Sequence, residues 1–141
     1  MQVDKIDTGT VIDHMRAGKA GRIMRLLGID ENYPHRVAVM LHVPSKKMGT
    51  KDMLKIEGKL VSADIANVVA LLSPGATINI IKSGKVEKKY EVVLPEELKN
   101  VGKCANPNCI TTENSATYFK REGEKYRCHY CERLFKADEL V

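Results

Sequence analysis

At 141 residues the chain has room for one ordinary domain or two small ones, and 43% hydrophobic residues are too many for a disordered chain. No apolar run approaches the roughly 20 residues that span a bilayer, and Met1-Gln2-Val3-Asp4-Lys5 lacks signal-peptide anatomy, so a cytoplasmic protein without membrane contact is expected. The formal charge is +5, and residues 1–100 hold 16 Lys+Arg against 12 Asp+Glu while residues 101–141 hold 7 against 6; this excess suits a phosphate-bearing ligand and equally a solvated lysine surface.

Ile6 to His14 reads as a strand centred on Val11 and Ile12. Gly18 to Gly28 reads as a helix, with Ala20, Ile23, Met24 and Leu27 at helical spacing and Gly28 as its stop. Arg36 to Val43 alternates, placing Val37, Val39, Leu41 and Val43 on one face of a strand that Pro44 ends. Met53 to Val61 is the next strand. Ser62 then caps a helix striped by Ile65, Val68, Val69 and Leu72, and Pro74-Gly75 terminates it. Thr77–Lys82 and Lys85–Val93 are strands around a Ser83-Gly84 turn. The order is that of an α+β, ferredoxin-like βαββαβ domain with one strand added. Pro95 to Gly102 reads as a linker, so the expected division is residues 1–95 and residues 96–141.

All four cysteines fall within 28 residues, as Cys104-Ala-Asn-Pro-Asn-Cys109 and Cys128-His-Tyr-Cys131. Two short-spaced pairs let two turns offer four thiolates tetrahedrally to one Zn²⁺. Two disulfides, an iron–sulfur centre and free thiols are the alternatives; the spacing and a reducing cytosol favour one structural zinc ion per chain. Four cysteines leave no open position for catalysis. His129 is expected to lie exposed on the turn. The segment between the pairs forms a hairpin around Glu122-Gly123, with Tyr118, Phe119 and Tyr126 as the small core of an all-β, zinc-ribbon-like domain. A piece this small needs the metal for much of its folding free energy.

Four segments, in this order and with these gaps, resemble the regulatory chain of aspartate carbamoyltransferase. They are Gly9-Thr10-Val11-Ile12-Asp13-His14, the run from Met48 to Glu57, Pro74-Gly75-Ala76-Thr77-Ile78-Asn79, and the cysteine pattern. The resemblance covers almost the whole chain. It implies a non-catalytic subunit whose first domain binds CTP and ATP at one site and whose zinc domain contacts the catalytic chain. It also implies homodimers of regulatory chains that link catalytic trimers.

The resemblance further implies a nucleotide site. Lys51 and Lys55, four apart and so on one face, would contact ribose and phosphate; two ammonium groups can hold a triphosphate as point charges. Taken alone, they read as a pair of solvated lysines. Asp13 would bind ribose, His14 the phosphate side and Lys89 the triphosphate. Val11, Asn79, Ile81 and Val86 would complete the pocket, and Val3, Asp4, Lys5 and Ile6 would line the base through backbone groups. Few residues precede Val3, where some family members have a longer arm associated with a second nucleotide.

A nucleic-acid binder is the first rival. The strands lack a run of exposed aromatics, only 5% of residues are Phe, Trp or Tyr, and the cysteine segment is nearly neutral, all of which argue against it. A free-standing enzyme is the second, and no paired acid and base or phosphate-binding glycine loop supports one.

Overall fold

The structure, a computed structural model, describes residues 7–112 and 116–141. Its larger, N-terminal unit is an antiparallel five-stranded sheet with two helices on one face. The strands are β1 (Gly9–Arg16), β2 (Val37–Ser45), β3 (Gly49–Glu57), β4 (Thr77–Lys82) and β5 (Lys85–Glu91). Their spatial order is β2-β3-β1-β4-β5, so β5 is the strand added beside a ferredoxin-like set of four. Helix α1 (Ala20–Leu26) and helix α2 (Ala63–Leu72) cover the face made by Ile12, Leu54, Ile56, Ile78 and Ile80.

Local chemistry explains the helix ends. The Ser62 side chain accepts from the Ile65 N–H at 3.3 Å and caps α2 as expected. After α1, Gly28 takes φ +73°; its N–H bonds Arg25 O at 3.1 Å, and the Ile29 N–H bonds Met24 O at 2.9 Å. This is a Schellman stop, and the left-handed backbone it needs is the reason a glycine stands there. At its C-terminal end α2 buries Val69, Ala70, Leu71 and Leu72 together, as a helix does when it is covered on more than one side.

The strands differ from the sequence expectation in several places: Pro44 does not end β2, which runs on to Ser45 with Pro44 opposite Thr50, and β3 stops at Glu57 rather than Val61. Strand β3 begins at Gly49, because Lys51 pairs with strands on both sides and Asp52 with Met15 of β1 despite their polarity. Each neighbour of β3 carries a bulge. Two residues of β1, Asp13 and His14, and two of β2, Leu41 and His42, each oppose a single residue of β3. The second residue of each bulge is left-handed, His14 at φ +58° and His42 at φ +56°. The bulge lets β1 continue past His14 to Arg16 with Met15 turned into the core. Val37 and Val39 of the expected face of β2 do point with Ile56 and Leu54, but the bulge turns Val43 to the other face, opposite Lys51, and at this edge strand Val39 and Leu41 stay exposed.

The C-terminal unit is all-β: β6 (Glu97–Lys99), β7 (Tyr118–Glu122), β8 (Lys125–Cys128) and β9 (Leu134–Lys136), in that order. Strand β6 lies within the segment expected as linker, where its three residues pair with Tyr118–Lys120 of β7. The β7–β8 hairpin turns at Gly123, as expected, and Phe119 and Tyr126 are fully buried beneath it; Tyr118 is half-buried against His129. Leu71 of α2 packs into this second core, and Val141 packs against both cores. Arg22 of α1 donates to the Asp138 and Val141 carbonyl oxygens.

Candidate functional site

The face of the five-stranded sheet turned away from the helices collects the residues singled out for a nucleotide. Cross-strand register puts Lys55, Val11, Asn79 and Lys89 in one row across β3, β1, β4 and β5. Ile81 and Val86 pair in the neighbouring row beside Gly9, and Asp13 stands opposite Thr77 on the other side. Lys51 reaches this face as well, since its Nζ lies 2.9 Å from Asp13 Oδ1. Val3, Asp4, Lys5 and Ile6 lie outside the described residues.

Strands β1, β3 and β5 thus bring together three lysines, one carboxylate and one imidazole, with Asn79 and Thr77 of β4 between them. The Asp13–Lys51 pair is mostly shielded, with side chains 18% and 15% exposed. Asp13 Oδ1 also accepts the His14 backbone N–H at 2.6 Å, which fixes the bulge. His14 Nδ1 lies 3.3 Å from the Thr77 hydroxyl and 3.7 Å from Asp13 Oδ2. Asn79 Nδ2 donates to Val11 O at 3.4 Å. Lys55 and Lys89 have no ion-pair partner among the described residues, so the face carries cationic charge in search of anions. Thr77 was not singled out beforehand; only its register opposite Asp13 identifies it.

The four cysteines converge at the base of the second sheet. Their sulfurs lie within 4.8 Å of one another, with Cys104 and Cys131 at 3.6 Å and Cys109 and Cys128 at 3.8 Å. A tetrahedral ion with about 2.3 Å bonds to sulfur needs S–S edges of about 3.8 Å. The cage therefore fits a single metal ion, and the sulfurs are free thiols rather than disulfides. Asn106 shapes the first turn: its Oδ1 accepts from the Asn108 N–H at 3.0 Å and its carbonyl from the Cys109 N–H at 3.1 Å. The second turn closes through the Glu132 N–H to Cys128 O at 2.9 Å, with His129 exposed on it.

The four thiols are unequal. Burial pushes Cys104 up to about 12 and also raises Cys128. Burial also acts to raise Cys109, but donors from the Thr111 hydroxyl and backbone outweigh it and bring the group down to about 7. Cys131 is lowered too, where burial is outweighed by the Arg133 N–H and the Asn106 side chain. The Thr111 hydroxyl, 3.1 Å from Cys109 Sγ, and the Asn106 side chain thus favour thiolates. Neither residue was foreseen as a support for the cysteines, because nothing local in a Thr or Asn marks its contact with a sulfur.

Comparison with known families decides what these two sites belong to. Residues 1–93 match the family model for the aspartate carbamoyltransferase regulatory chain, allosteric domain, and residues 96–141 match the model for its metal binding domain. The chain belongs to the aspartate carbamoyltransferase regulatory chain family. The regulatory chain from Methanococcus maripaludis strain S2 is 48% identical over 141 residues, covering 97% of this chain and 94% of the relative. Those from Methanopyrus kandleri and Pyrococcus furiosus are 44% and 42% identical, covering 99% and 100% of this chain and 93% and 96% of theirs. As a regulatory chain it is a non-catalytic subunit that partners with the catalytic chain, in agreement with the sequence expectation. Among the described residues no helix is long and apolar enough to cross a membrane.

Proposed function

We propose that this regulatory chain binds CTP and ATP in competition on the open face of its five-stranded sheet. It holds one structural Zn²⁺ in the Cys104/Cys109/Cys128/Cys131 cage and passes nucleotide occupancy to the catalytic chain. The observation that carries this reading is the row Lys55–Val11–Asn79–Lys89 beside the Asp13–Lys51 pair. Lys51, Lys55 and Lys89 hold the triphosphate, with His14 on the phosphate side; Asp13 accepts from ribose hydroxyls. Asn79, Ile81 and Val86 bound the far side, and Val3, Asp4, Lys5 and Ile6 read the base. A phosphate that draws Lys51 away from Asp13 also frees that carboxylate for the sugar, so the resident ion pair is exchanged for two ligand contacts.

Zinc closes the C-terminal unit, whose own apolar cluster is small, and supplies free energy that makes it a firm connector. Homodimers of regulatory chains joining catalytic trimers in the cytoplasm complete the reading. The exposed apolar edge of β2, with Val39 and Leu41, supports association between copies. The ligand moves the enzyme only by its differential affinity for two states, ordinarily about 1–3 kcal/mol.

The test is to mix the chain with its catalytic partner and titrate CTP and ATP while following carbamoyl transfer. Both nucleotides are expected to alter the response, and Lys55→Ala to remove it while zinc content and assembly persist. Steeply salt-dependent binding to DNA or RNA with no nucleotide response would overturn the reading.

A further inference from the structure

Asp52 is fully buried, yet no part of the nucleotide site or the cysteine cage uses it. Its Oδ2 accepts the N–H of Gly18 at 2.9 Å and of Ala20 at 3.1 Å, the first residues of α1 and its approach. Its Oδ1 accepts the N–H of His42 at 3.0 Å, the left-handed residue of the β2 bulge. One carboxylate therefore ties three separate segments together. Its chain neighbour Lys51 points to the other face of the sheet, as alternation in a strand requires, and pairs there with Asp13. Asp13 in turn holds the opposite bulge through the His14 N–H. Thus β3 at residues 51–53 is clasped between two bulges, with a ligand-side cation on one face and a buried anchor on the other.

We infer that Asp52 is a positioning residue that carries nucleotide occupancy from Lys51 to the start of α1 and to the edge strand β2. The inference rests on the proposed nucleotide site and specifies how that site is read elsewhere. Lys51 and Asp52 share one planar peptide, so turning or shifting it on one face displaces the other. Strand β3 cannot move at this point independently of Gly18, Ala20 and His42 without leaving the buried Asp52 carboxylate and the buried Ala20 N–H short of partners, which proteins avoid. Movement imposed at Lys51 is therefore passed on rather than absorbed. Beyond α1 the same line reaches the C-terminal unit, because Arg22 donates to Asp138 O. Asp52 touches no nucleotide; it acts through its neighbours.

Residue-resolved hydrogen exchange on the full chain, with and without CTP, tests this directly. CTP is expected to change exchange at the Gly18, Ala20 and His42 amides by roughly threefold or more, alongside the ligand-facing strands. Asp52→Asn presents an amide N–H₂ or a neutral oxygen to these donors. In it, CTP affinity is expected to stay within about threefold while the distant exchange changes vanish. In the enzyme reassembled with catalytic chains, the same variant loses its CTP response at unchanged maximal rate. A merely structural residue would lower the melting temperature and leave the CTP-induced changes in place. If the wild-type chain binds CTP and the three amides do not respond, the inference fails although the nucleotide site stands. If the wild-type chain does not bind CTP, the site itself is refuted and the inference with it. The wild-type measurement decides the matter even if Asp52→Asn fails to fold.

Discussion

The two units bury their interiors by different means. Around the five-stranded sheet, seventeen buried apolar residues form one continuous core drawn from all but the outermost strands and both helices. The second core has seven buried members; two are the cysteines Cys109 and Cys128, and one, Leu71, is lent by α2. Among the described residues that leaves Leu98, Phe119, Tyr126 and Leu140 as its own buried non-cysteine members, too few to fold a piece of this size unaided. The larger unit is therefore held by burial, whereas the metal binding unit depends on its neighbour and on the ion its four cysteines can hold. Removing the ion should therefore divide the molecule more sharply than any side-chain change.

Chelation, or Cys109→Ser, has the largest expected effect. The metal supplies a folding contribution on the order of 10 kcal/mol in small zinc domains, so residues 97–141 should lose slowed amide exchange and the catalytic chain should dissociate. Residues 9–91 should keep their exchange pattern. Equal loss in both units would break the comparison. The same centre should lose affinity as pH falls. Burial raises Cys104 and Cys128, so these thiols must release protons to bind, and binding strengthens as pH rises. Below about 7 the Cys109 proton competes as well, which steepens the loss; a zinc competition titration across pH reads this.

Leu71→Ala comes next. A fully packed leucine typically costs about 2–5 kcal/mol on truncation, and here the cavity would open between the units rather than inside one. Calorimetry should show both units destabilised, with the metal unit separating into an earlier transition. A single transition shifted without broadening would mean that the two cores already act as one.

Much of this organisation was legible before the structure, and what was not shares a physical cause. The Ser62 cap, the Gly28 stop, the Ser83-Gly84 hairpin and the two short-spaced cysteine pairs are written in residues close in sequence, where chemistry acts locally. The plan of five strands and two helices followed from periodicity. The bulges at His14 and His42, the pairing of polar Lys51 and Asp52 inside β3, and the small strand Glu97–Lys99 depend on register with distant partners, which no local pattern encodes. The exposure of Val39 and Leu41 has the same origin, since alternation reports a face and not what covers it. The candidate nucleotide face illustrates both limits. Its lysines and Asp13 were named from family resemblance, while Thr77 emerged only from pairing, and its charges lie on three different strands.

Lys55→Ala measures that face alone. Charge-assisted hydrogen bonds contribute about 1.5–3 kcal/mol, so CTP affinity should fall by roughly 10- to 150-fold. Lys55 lies half-buried on the open face and belongs to neither core. The melting temperature without nucleotide and the zinc content should therefore hold. A drop in zinc content would show that the two units are not separable in the way their cores imply.

The smallest effect belongs to Ser62→Ala. The hydroxyl serves one N–H at the start of α2, and loss of such a cap costs about 1 kcal/mol. Helix α2 nevertheless serves both units, packing Val69, Ala70 and Leu72 against the first core and Leu71 against the second. If the cap only steadies the N-terminal turn, denaturant unfolding of the first unit should shift by that amount while zinc affinity stays put. If fraying at Ser62 travels the length of the helix to Leu71, zinc affinity should weaken in step. Measuring both in one variant tells whether α2 is a rigid strut between the two regions or a helix whose ends act independently.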